Sequence, residues 1–338
     1  MKRLEVRDLS SVGTTGQNSL TLVEVAPPKP ADDEILVRIR ASSLNFHDFL
    51  VVRGHIPVTP GRVPMSDGVG EVIEVGSEVK EFKAGDRVLG TFFPDWLDGS
   101  PTASKVAKMR GDQVDGFASE YVALPASSFT LAPTHLSDVE AATLPCAALT
   151  AWNALFVKGN IKSRDTVLIE GTGGVSIFSL QFAKKSGATV IAISSSEQKT
   201  ERLKQLGADH TINYRESPDW GIKVNELTGG VGVDHIVEVV AGDLSNTIQA
   251  LRTGGNIYLI GALSLSAVQF RPESIILDNM NILGLTVGSR QHQEDMVRAV
   301  EAIKLKPVVD KVFSFEELNQ AFVYQESSKH IGKICLVW

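Results

Sequence analysis

The ten residues Val167-Leu168-Ile169-Glu170-Gly171-Thr172-Gly173-Gly174-Val175-Ser176 join an apolar strand to the start of a helix. They match the pattern G-x-G-x-x-G, except that Ser176 replaces the last glycine. One glycine permits the sharp turn, and Gly173 lets the backbone approach a diphosphate whose charge is met by the helix N-terminus. Serine at the last position asks only for looser helix packing. We therefore predict a dinucleotide-binding turn rather than an ordinary tight turn, with contacts from Gly171, Thr172, Gly173, Gly174 and Val175.

Short apolar strands alternate with helical patterns on either side of this turn. The strand candidates cover residues 166–169, 189–193, 233–239, 256–260 and 282–287. Helical patterns separate several of them, and this alternation predicts a parallel, doubly wound sheet of the α/β class over residues 126–289. Such a sheet binds ligands at the carboxyl edge of its strands.

The end of the second strand indicates which nicotinamide cofactor is used. An NAD site typically carries an acidic residue about 20 positions after the glycine pattern, where it accepts the ribose hydroxyls. Here the strand ends in Ser194 and Ser195, and Lys199 follows one helical turn later. Small hydroxyls with a lysine accommodate a 2′-phosphate, and Tyr214 or Arg215 after the third strand offers a second contact. NADP(H) is therefore favoured over NAD(H).

Two features of the same segment leave alternatives open. Ser196 precedes Glu197 and is a natural helix N-cap, so the serines have a structural explanation as well. Glu197 itself keeps NAD as an alternative cofactor.

The first third of the chain has a β texture punctuated by Gly, Pro and Asp. Residues 34–39, 70–75 and 87–89 are strand candidates, whereas residues 92–116 predict a long irregular excursion. The last fifty residues contain a helix near 293–303 and a final strand at 333–337. We predict a barrel domain over residues 1–125 that the tail 290–338 completes.

Composition excludes several classes of protein. The 338 residues predict two domains. A formal charge of −7 with a pI of 5.6 argues against nucleic acid as a partner. Two cysteines, Cys146 and Cys335, make no disulfide framework, and the weakly polar run 141–157 is too short to span a membrane. The charged N-terminus lacks a signal-peptide pattern, so we expect a cytoplasmic protein without a membrane partner.

Four further motifs make the chain resemble the medium-chain dehydrogenase/reductase superfamily, and within it the zinc-free quinone oxidoreductase-like branch. The motifs are GEVIEVG at 70–76, FKAGDRV at 82–88, LTAW at 149–152 and GADHTINY at 207–214. The resemblance implies a GroES-like β-barrel catalytic domain plus a Rossmann domain, with the nicotinamide in the cleft between them. It also implies a homodimer formed through the last Rossmann strand. We add Thr150, within the third motif, to the predicted cofactor contacts.

The chain departs from the zinc-containing members of that superfamily. Those members hold catalytic zinc with Cys, His and a second Cys, and the matching positions here are Asn45, Ser66 and Cys146. Neither an amide nor a hydroxyl competes well for zinc. The lobe that binds structural zinc in those relatives falls in residues 92–116, which contain no cysteine. We therefore predict that the protein uses no zinc.

Without zinc, the easiest chemistry for NADPH is hydride delivery to an already electrophilic carbon. The site must then stabilise a developing enolate oxygen and supply a proton. We predict that Asn45 donates its amide to that oxygen, that His47 supplies the proton with a near-neutral pKa, and that Asp48 orients His47. The same three residues are also ordinary turn formers, and solvent is an alternative acid.

A flat apolar substrate requires aromatic walls. The candidates are Phe49, His55, Phe93, Trp96 and Trp152, although aromatic residues of this kind are equally suited to a core. The preferred hypothesis is an NADPH-dependent, zinc-independent reductase whose small-molecule electrophile is a quinone or an α,β-unsaturated carbonyl. The alternatives are an alcohol or carbonyl oxidoreductase, and an NADPH-binding protein without catalytic activity.

Overall fold

The computed structural model of the protein describes residues 1–8, 19–261, 263 and 267–338. These residues form two compact units, one of residues 1–149 with 287–338 and one of residues 150–286. The units differ from the predicted domains mainly in residues 126–149, which belong to the first unit. This difference arises because a strand at Phe129–Leu131 pairs with the strand at Arg87–Gly90.

The described strands, in chain order, are as follows. The first seven are β1 (Lys2–Asp8), β2 (Ser19–Glu24), β3 (Glu34–Ser43), β4 (Val69–Val75), β5 (Arg87–Gly90), β6 (Tyr121–Pro125) and β7 (Phe129–Leu131). The others are β8 (Thr166–Glu170), β9 (Thr189–Ser194), β10 (His210–Asn213), β11 (Val233–Glu238), β12 (Leu251–Leu259), β13 (Asn281–Gly284), β14 (Val309–Ser314) and β15 (Lys333–Val337).

The described α-helices are numbered in the same way. They are α1 (Phe46–Val52), α2 (Asp138–Ala141), α3 (Leu149–Trp152), α4 (Gly174–Lys185), α5 (Glu197–Gln205), α6 (Trp220–Leu227), α7 (Ser245–Ala250), α8 (Pro272–Leu277), α9 (Arg290–Ala302) and α10 (Leu318–Glu326). Short π-helical turns cover Leu144–Ala148 and Asn153–Lys158, and 3-10 turns cover Ala126–Ser128 and Phe315–Glu317. Among the residues that the structure describes, no helix combines the length and the apolar character needed to cross a membrane.

The second unit is built on a six-stranded parallel sheet. Its order is β10-β9-β8-β11-β12-β13, so the strand order reverses next to β8, as in a doubly wound fold. The predicted fold class is confirmed. Apolar residues of the central strands, such as Leu168, Ile191, Ile236 and Ile257, form its core.

Two strands of this sheet differ from their predicted bounds. β12 begins at Leu251, earlier than predicted, because Gly254 with φ +72° lies at an irregularity between two paired stretches. β13 ends at Gly284, earlier than predicted, because the chain turns at Val287, whose φ is +32°.

The first unit is built on a seven-stranded sheet. The order is β14-β15-β3-β4-β5-β7, with β6 also paired to β3. The tail strand β15 has the predicted bounds and pairs antiparallel with β3, where Cys335 faces Ser43. This pairing brings the end of the chain next to the residues that follow β3.

The predicted excursion at 92–116 consists of turns and bends that are fixed to their own unit. The Arg110 backbone N–H donates to the Phe92 carbonyl at 3.1 Å, and its guanidinium donates to the Ser128 hydroxyl at 2.9 Å. The N–H of Arg290, at the start of α9, donates to the Trp96 carbonyl at 2.9 Å. Buried Arg110 thus fastens a segment that lacks regular structure of its own.

Candidate active site

The glycine-rich turn has the geometry that a dinucleotide requires. Strand β8 ends at Glu170, and Gly171 follows with φ +74°, a conformation that glycine adopts at no steric cost. Gly173 is the N-cap of the twelve-residue helix α4. A Cβ atom added at Gly171 or at Gly173 would meet nothing within 4 Å. The turn therefore offers open space in front of the N–H groups that begin α4, where an anion is favoured.

Ser176 has a more specific role than the predicted loosening of helix packing. Its buried hydroxyl donates to the Glu170 carbonyl at 2.6 Å. The serine thus ties the first turn of α4 to the end of β8 across the glycine-rich turn.

The predicted 2′-phosphate residues lie around the ends of β9 and β10. The Tyr214 N–H donates to the Ser194 carbonyl at 3.0 Å, which holds the two strand ends together. Ser196 is the N-cap of α5 and accepts from the Lys199 N–H at 3.4 Å, as its position suggested. Ser195 and Lys199 are half-buried and Tyr214 is exposed.

Three of the predicted cofactor contacts have buried side chains. Ser194, Thr150 and Thr172 have relative exposures of 1, 3 and 4%. Ser194 therefore shows little of its hydroxyl to a ligand, and the phosphate contacts of Ser195 and Lys199 stay predictions. The cofactor roles of Thr150 and Thr172 stay predictions.

Asn45 is the centre of a buried hydrogen-bond network that we call the Asn45 cluster, made of Ser43, Asn45, Ser66, Asp67 and Lys333. The Asn45 amide donates to the Ser66 hydroxyl at 3.1 Å and to the Asp67 carboxylate at 2.9 Å. Its Oδ1 accepts from the Lys333 ammonium. Both amide hydrogens are thus engaged within the cluster, so the predicted donation from Asn45 to a substrate oxygen does not fit this geometry.

Lys333 and Asp67 are functional candidates that sequence reasoning missed. The Lys333 ammonium also donates to the Leu44 carbonyl at 2.6 Å and lies 3.6 Å from Asp67 Oδ2. Burial raises the pKa of Asp67 to about 6, against the opposing effects of the Lys333 charge and the Ser43 hydroxyl. The available sequence signal was a single lysine in an otherwise apolar strand, Lys333-Ile334-Cys335-Leu336-Val337.

His47 lies between two buried carboxylates. Its Nε2 is 3.5 Å from Asp112 Oδ2 and its Nδ1 is 3.7 Å from Asp48 Oδ1. Burial alone would lower the pKa of His47, but the two carboxylates outweigh it and raise the pKa to about 9. The raised pKa differs from the expected near-neutral value and favours the doubly protonated imidazole at pH 7.

Asp48 has a wider role than orienting His47. Its Oδ2 accepts the Asn45 N–H at 3.0 Å and its Oδ1 accepts the Ser66 N–H at 2.8 Å. Asp48 thus caps the first turn of α1 and joins the segment of Asn45 to that of Ser66. Asp112, in the excursion, is the carboxylate nearer to His47, and sequence reasoning missed it because it is 65 positions away in the chain.

Within the first unit, the predicted aromatic walls do not form one group. The ring centroid of Phe49 lies 6.4 Å from that of exposed His55. Phe93 and Trp96 are 2 and 3% exposed, and their ring centroids are 5.9 Å apart. Phe93 and Trp96 therefore belong to the core of the first unit rather than to an open wall. Trp152, in the second unit, stacks on Phe156 at 4.0 Å. The ring beside His47 is that of Phe92, at 5.3 Å, which sequence reasoning did not select.

The residues at the zinc-ligand positions do not fit a catalytic zinc. The Asn45 amide is engaged by Ser66, Asp67 and Lys333, and the Ser66 hydroxyl accepts from that amide. The remaining position offers one half-buried thiol, Cys146. Across residues 1–8, 19–261, 263 and 267–338, no three His, Cys, Asp or Glu side chains gather in a way that could hold a metal ion. An ammonium within the set adds a positive charge where a metal needs electron-pair donors.

Comparisons with known proteins agree with both units. Residues 31–134 match the family described as the alcohol dehydrogenase GroES-like domain, and residues 174–304 match the family described as zinc-binding dehydrogenase. A solved structure of an NAD-dependent alcohol dehydrogenase has a TM-score of 0.88 and 32% identity, and the match covers 100% of both chains.

Two curated relatives match over almost their full length. The zinc-type alcohol dehydrogenase-like protein of Schizosaccharomyces pombe is 43% identical over 324 residues, which cover 92% of each chain. The acryloyl-coenzyme A reductase of Sulfurisphaera tokodaii is 28% identical over 325 residues, which cover 93% of this chain and 95% of the relative. The chain therefore belongs to the medium-chain dehydrogenase/reductase superfamily, as an oxidoreductase similar to the zinc-type alcohol dehydrogenases.

Proposed function

We propose that the protein is an NADPH-dependent, zinc-independent reductase of quinones or α,β-unsaturated carbonyls. The observation that carries the proposal is the position of the His47 ring between the carboxylates of Asp112 and Asp48, beside a set of residues that does not fit zinc. A reductase that lacks a Lewis acid needs another source of positive charge and of a proton for the substrate oxygen. The name of the acryloyl-coenzyme A reductase relative supports an activated double bond as the acceptor.

The second unit supplies the cofactor contacts in this proposal. The N–H groups at the start of α4 bind the diphosphate at Gly171–Gly173, where open space adjoins the backbone. Ser195 and Lys199 bind the 2′-phosphate, and exposed Tyr214 flanks it. The bound NADPH supplies the hydride.

His47 supplies the proton. Its imidazole holds a proton on each ring nitrogen at pH 7 because its pKa is raised to about 9. As hydride reaches the β-carbon or the quinone ring, negative charge develops on the acceptor oxygen. A cationic imidazole stabilises that charge and transfers a proton to the oxygen, and Asp112 and Asp48 keep the ring in position.

Purified protein should oxidise NADPH when 1,4-benzoquinone or an alkenal is the acceptor. Turnover of neither class, over a range of pH, would contradict the proposal. The names of the alcohol dehydrogenase relatives favour a second candidate, an alcohol or carbonyl oxidoreductase, which predicts reduction of NAD(P) in the presence of alcohols. Thermal stabilisation by NADPH without turnover on any acceptor would instead select the non-catalytic alternative.

We also propose that a second copy of the chain pairs with β13. This strand is at an edge of the parallel sheet. The helix before it, α8, exposes Ile276 and Leu277 at 71 and 78%. An edge strand flanked by exposed apolar side chains is suited to pairing with its own copy. Light scattering after gel filtration should give twice the chain mass of 36.4 kDa, and a monomer at micromolar concentration would contradict the dimer.

A further inference from the structure

We propose that the ammonium of Lys333 is a resident cation of the Asn45 cluster, where it takes the place of a divalent metal and excludes one. This inference deepens the zinc independence of the proposed function and rests on it. Its tests measure metal binding and stability, so a protein without reductase activity would leave the inference intact.

The first support is the number of acceptors around the ammonium. Lys333 is only 4% exposed, and an ammonium at such depth requires acceptors for its three protons. The Leu44 carbonyl, Asn45 Oδ1 and the Asp67 carboxylate surround it. The three acceptors come from the end of β3 and from the segment before β4, and Lys333 joins both to β15.

The second support is the orientation of the surrounding donors. A metal ion requires lone pairs that point toward it. The Asn45 amide instead points its N–H groups at Ser66 and Asp67 and its oxygen at the ammonium. The Ser43 hydroxyl donates to Asp67 Oδ2 at 2.5 Å. The cluster is therefore arranged for one fixed monovalent cation.

The third support is the charge balance. Asp67 is the carboxylate that faces Lys333, and the pair is neutral when both are ionised. Asp48, from α1, lies on the other side of Asn45, where its carboxylate accepts the N–H groups of Asn45 and Ser66. Cys335, from β15, has a pKa raised by burial to about 12 and stays an uncharged thiol. A divalent ion added here would meet the charge of Lys333, while Asp67 already faces that lysine and Asp48 already accepts two N–H groups.

The direct test supplies better ligands and then removes the lysine. The double variant Asn45→Cys/Ser66→His adds a thiolate and an imidazole, which bind zinc well. Adding Lys333→Met gives a triple variant that also lacks the ammonium. Titration with zinc chloride, read by calorimetry and by the rise in Tm, compares the two, and Lys329→Met in the double background is the exposed-lysine control.

The inference predicts that the triple variant binds one zinc at least tenfold more tightly than the double variant, and that the control leaves the affinity unchanged. Equal affinity in the double and triple variants would overturn it. Absence of zinc binding in the triple variant would overturn it as well, because removal of the ammonium would then not open the site.

A second measurement covers the case in which the Met substitution prevents folding. Lys333→Met leaves the Asp67 carboxylate buried without its cation, so its Tm should fall by more than that of Lys333→Met/Asp67→Asn, which removes both charges. Equal losses of Tm would show that the ammonium does not balance Asp67 and would also count against the inference. The wild-type protein should show no change of Tm with zinc chloride or with chelator.

Discussion

The glycine-rich turn and the Asn45 cluster are built on opposite principles. In the proposed function, the turn binds the cofactor diphosphate through backbone N–H groups, and open space lies in front of Gly171 and Gly173. The Asn45 cluster holds the Lys333 ammonium through side chains that hydrogen-bond one another. Lys333 lies 288 positions from Asn45 in the sequence. A backbone site depends on a few consecutive residues and tolerates other substitutions, whereas a cluster of side chains depends on every member.

A side chain that fills the space in front of the glycine-rich turn should have the largest effect, on the affinity for NADPH. A Cβ atom at Gly173 would meet nothing within 4 Å, so Gly173→Val directs its side chain into that space and Tm should change little. The Kd for NADPH should rise about 100-fold, which corresponds to about 2.7 kcal/mol. Calorimetric titration with NADPH checks this. Gly284→Val, also placed in open space, is the matched control and should keep the wild-type Kd. Unchanged binding in Gly173→Val would remove the turn from the cofactor site.

Removing a carboxylate beside His47 should have the next largest effect, on kcat and its pH dependence, because the two carboxylates raise the pKa of His47. Asp112→Asn removes the nearer one and lowers the pKa of His47. The alkaline limb of the kcat–pH profile should move about one unit lower, with kcat near pH 10 reduced about tenfold. Asp98→Asn, an exposed change in the same excursion, is the control. An unmoved limb would show that His47 is not the acid.

The same site predicts how stability depends on pH. The folded-state pKa of His47, about 9, lies above the ordinary value of 6.5. The protonated ring therefore contributes its full stabilisation below pH 6.5 and loses it as the pH rises toward 9. A shift of this size corresponds to at most about 3 kcal/mol. Denaturant unfolding at pH 6 and pH 9 should show that loss in the wild type and a smaller one in His47→Phe.

A substitution at Lys199 should have a smaller effect, on the preference between NADPH and NADH. Lys199→Ala removes the cation that we place beside the 2′-phosphate, so the ratio of KM for NADH to KM for NADPH should fall about tenfold. Lys204→Ala removes an exposed lysine of the same helix and should leave the ratio unchanged. An equal ratio in all three proteins would remove Lys199 from the cofactor site. A wild-type ratio below one would favour NAD, the cofactor named for one solved relative.

A substitution at Ser176 should have the smallest effect on cofactor affinity. It separates a role of the hydroxyl in stability from a role in NADPH binding. Ser176→Ala loses the hydrogen bond to the Glu170 carbonyl, so the free energy of unfolding should fall by about 1 kcal/mol. The Kd for NADPH should stay within about twofold, because the hydroxyl faces the strand rather than the open turn. Chemical denaturation and NADPH titration separate the two quantities. A weakened Kd at unchanged stability would place the hydroxyl in the cofactor site instead.

The same contrast explains what could be predicted from the sequence. The parallel sheet and the turn at Gly171 follow from short-range patterns of apolar residues and glycine, and the structure confirms this architecture. The engagement of Asn45 depends on Lys333, and the high pKa of His47 depends on Asp112. Both partners come from distant segments that no local pattern connects, so tertiary structure was needed to find them.

We propose that the protein transfers hydride from NADPH to an activated acceptor without a metal. One measurement tests this reaction most directly. NADPH oxidation with 1,4-benzoquinone is recorded on protein that has been treated with chelator, and zinc in the same sample is determined by mass spectrometry. We predict turnover equal to that of untreated protein, together with substoichiometric zinc. Turnover that disappears with the chelator and returns with one equivalent of zinc would contradict it.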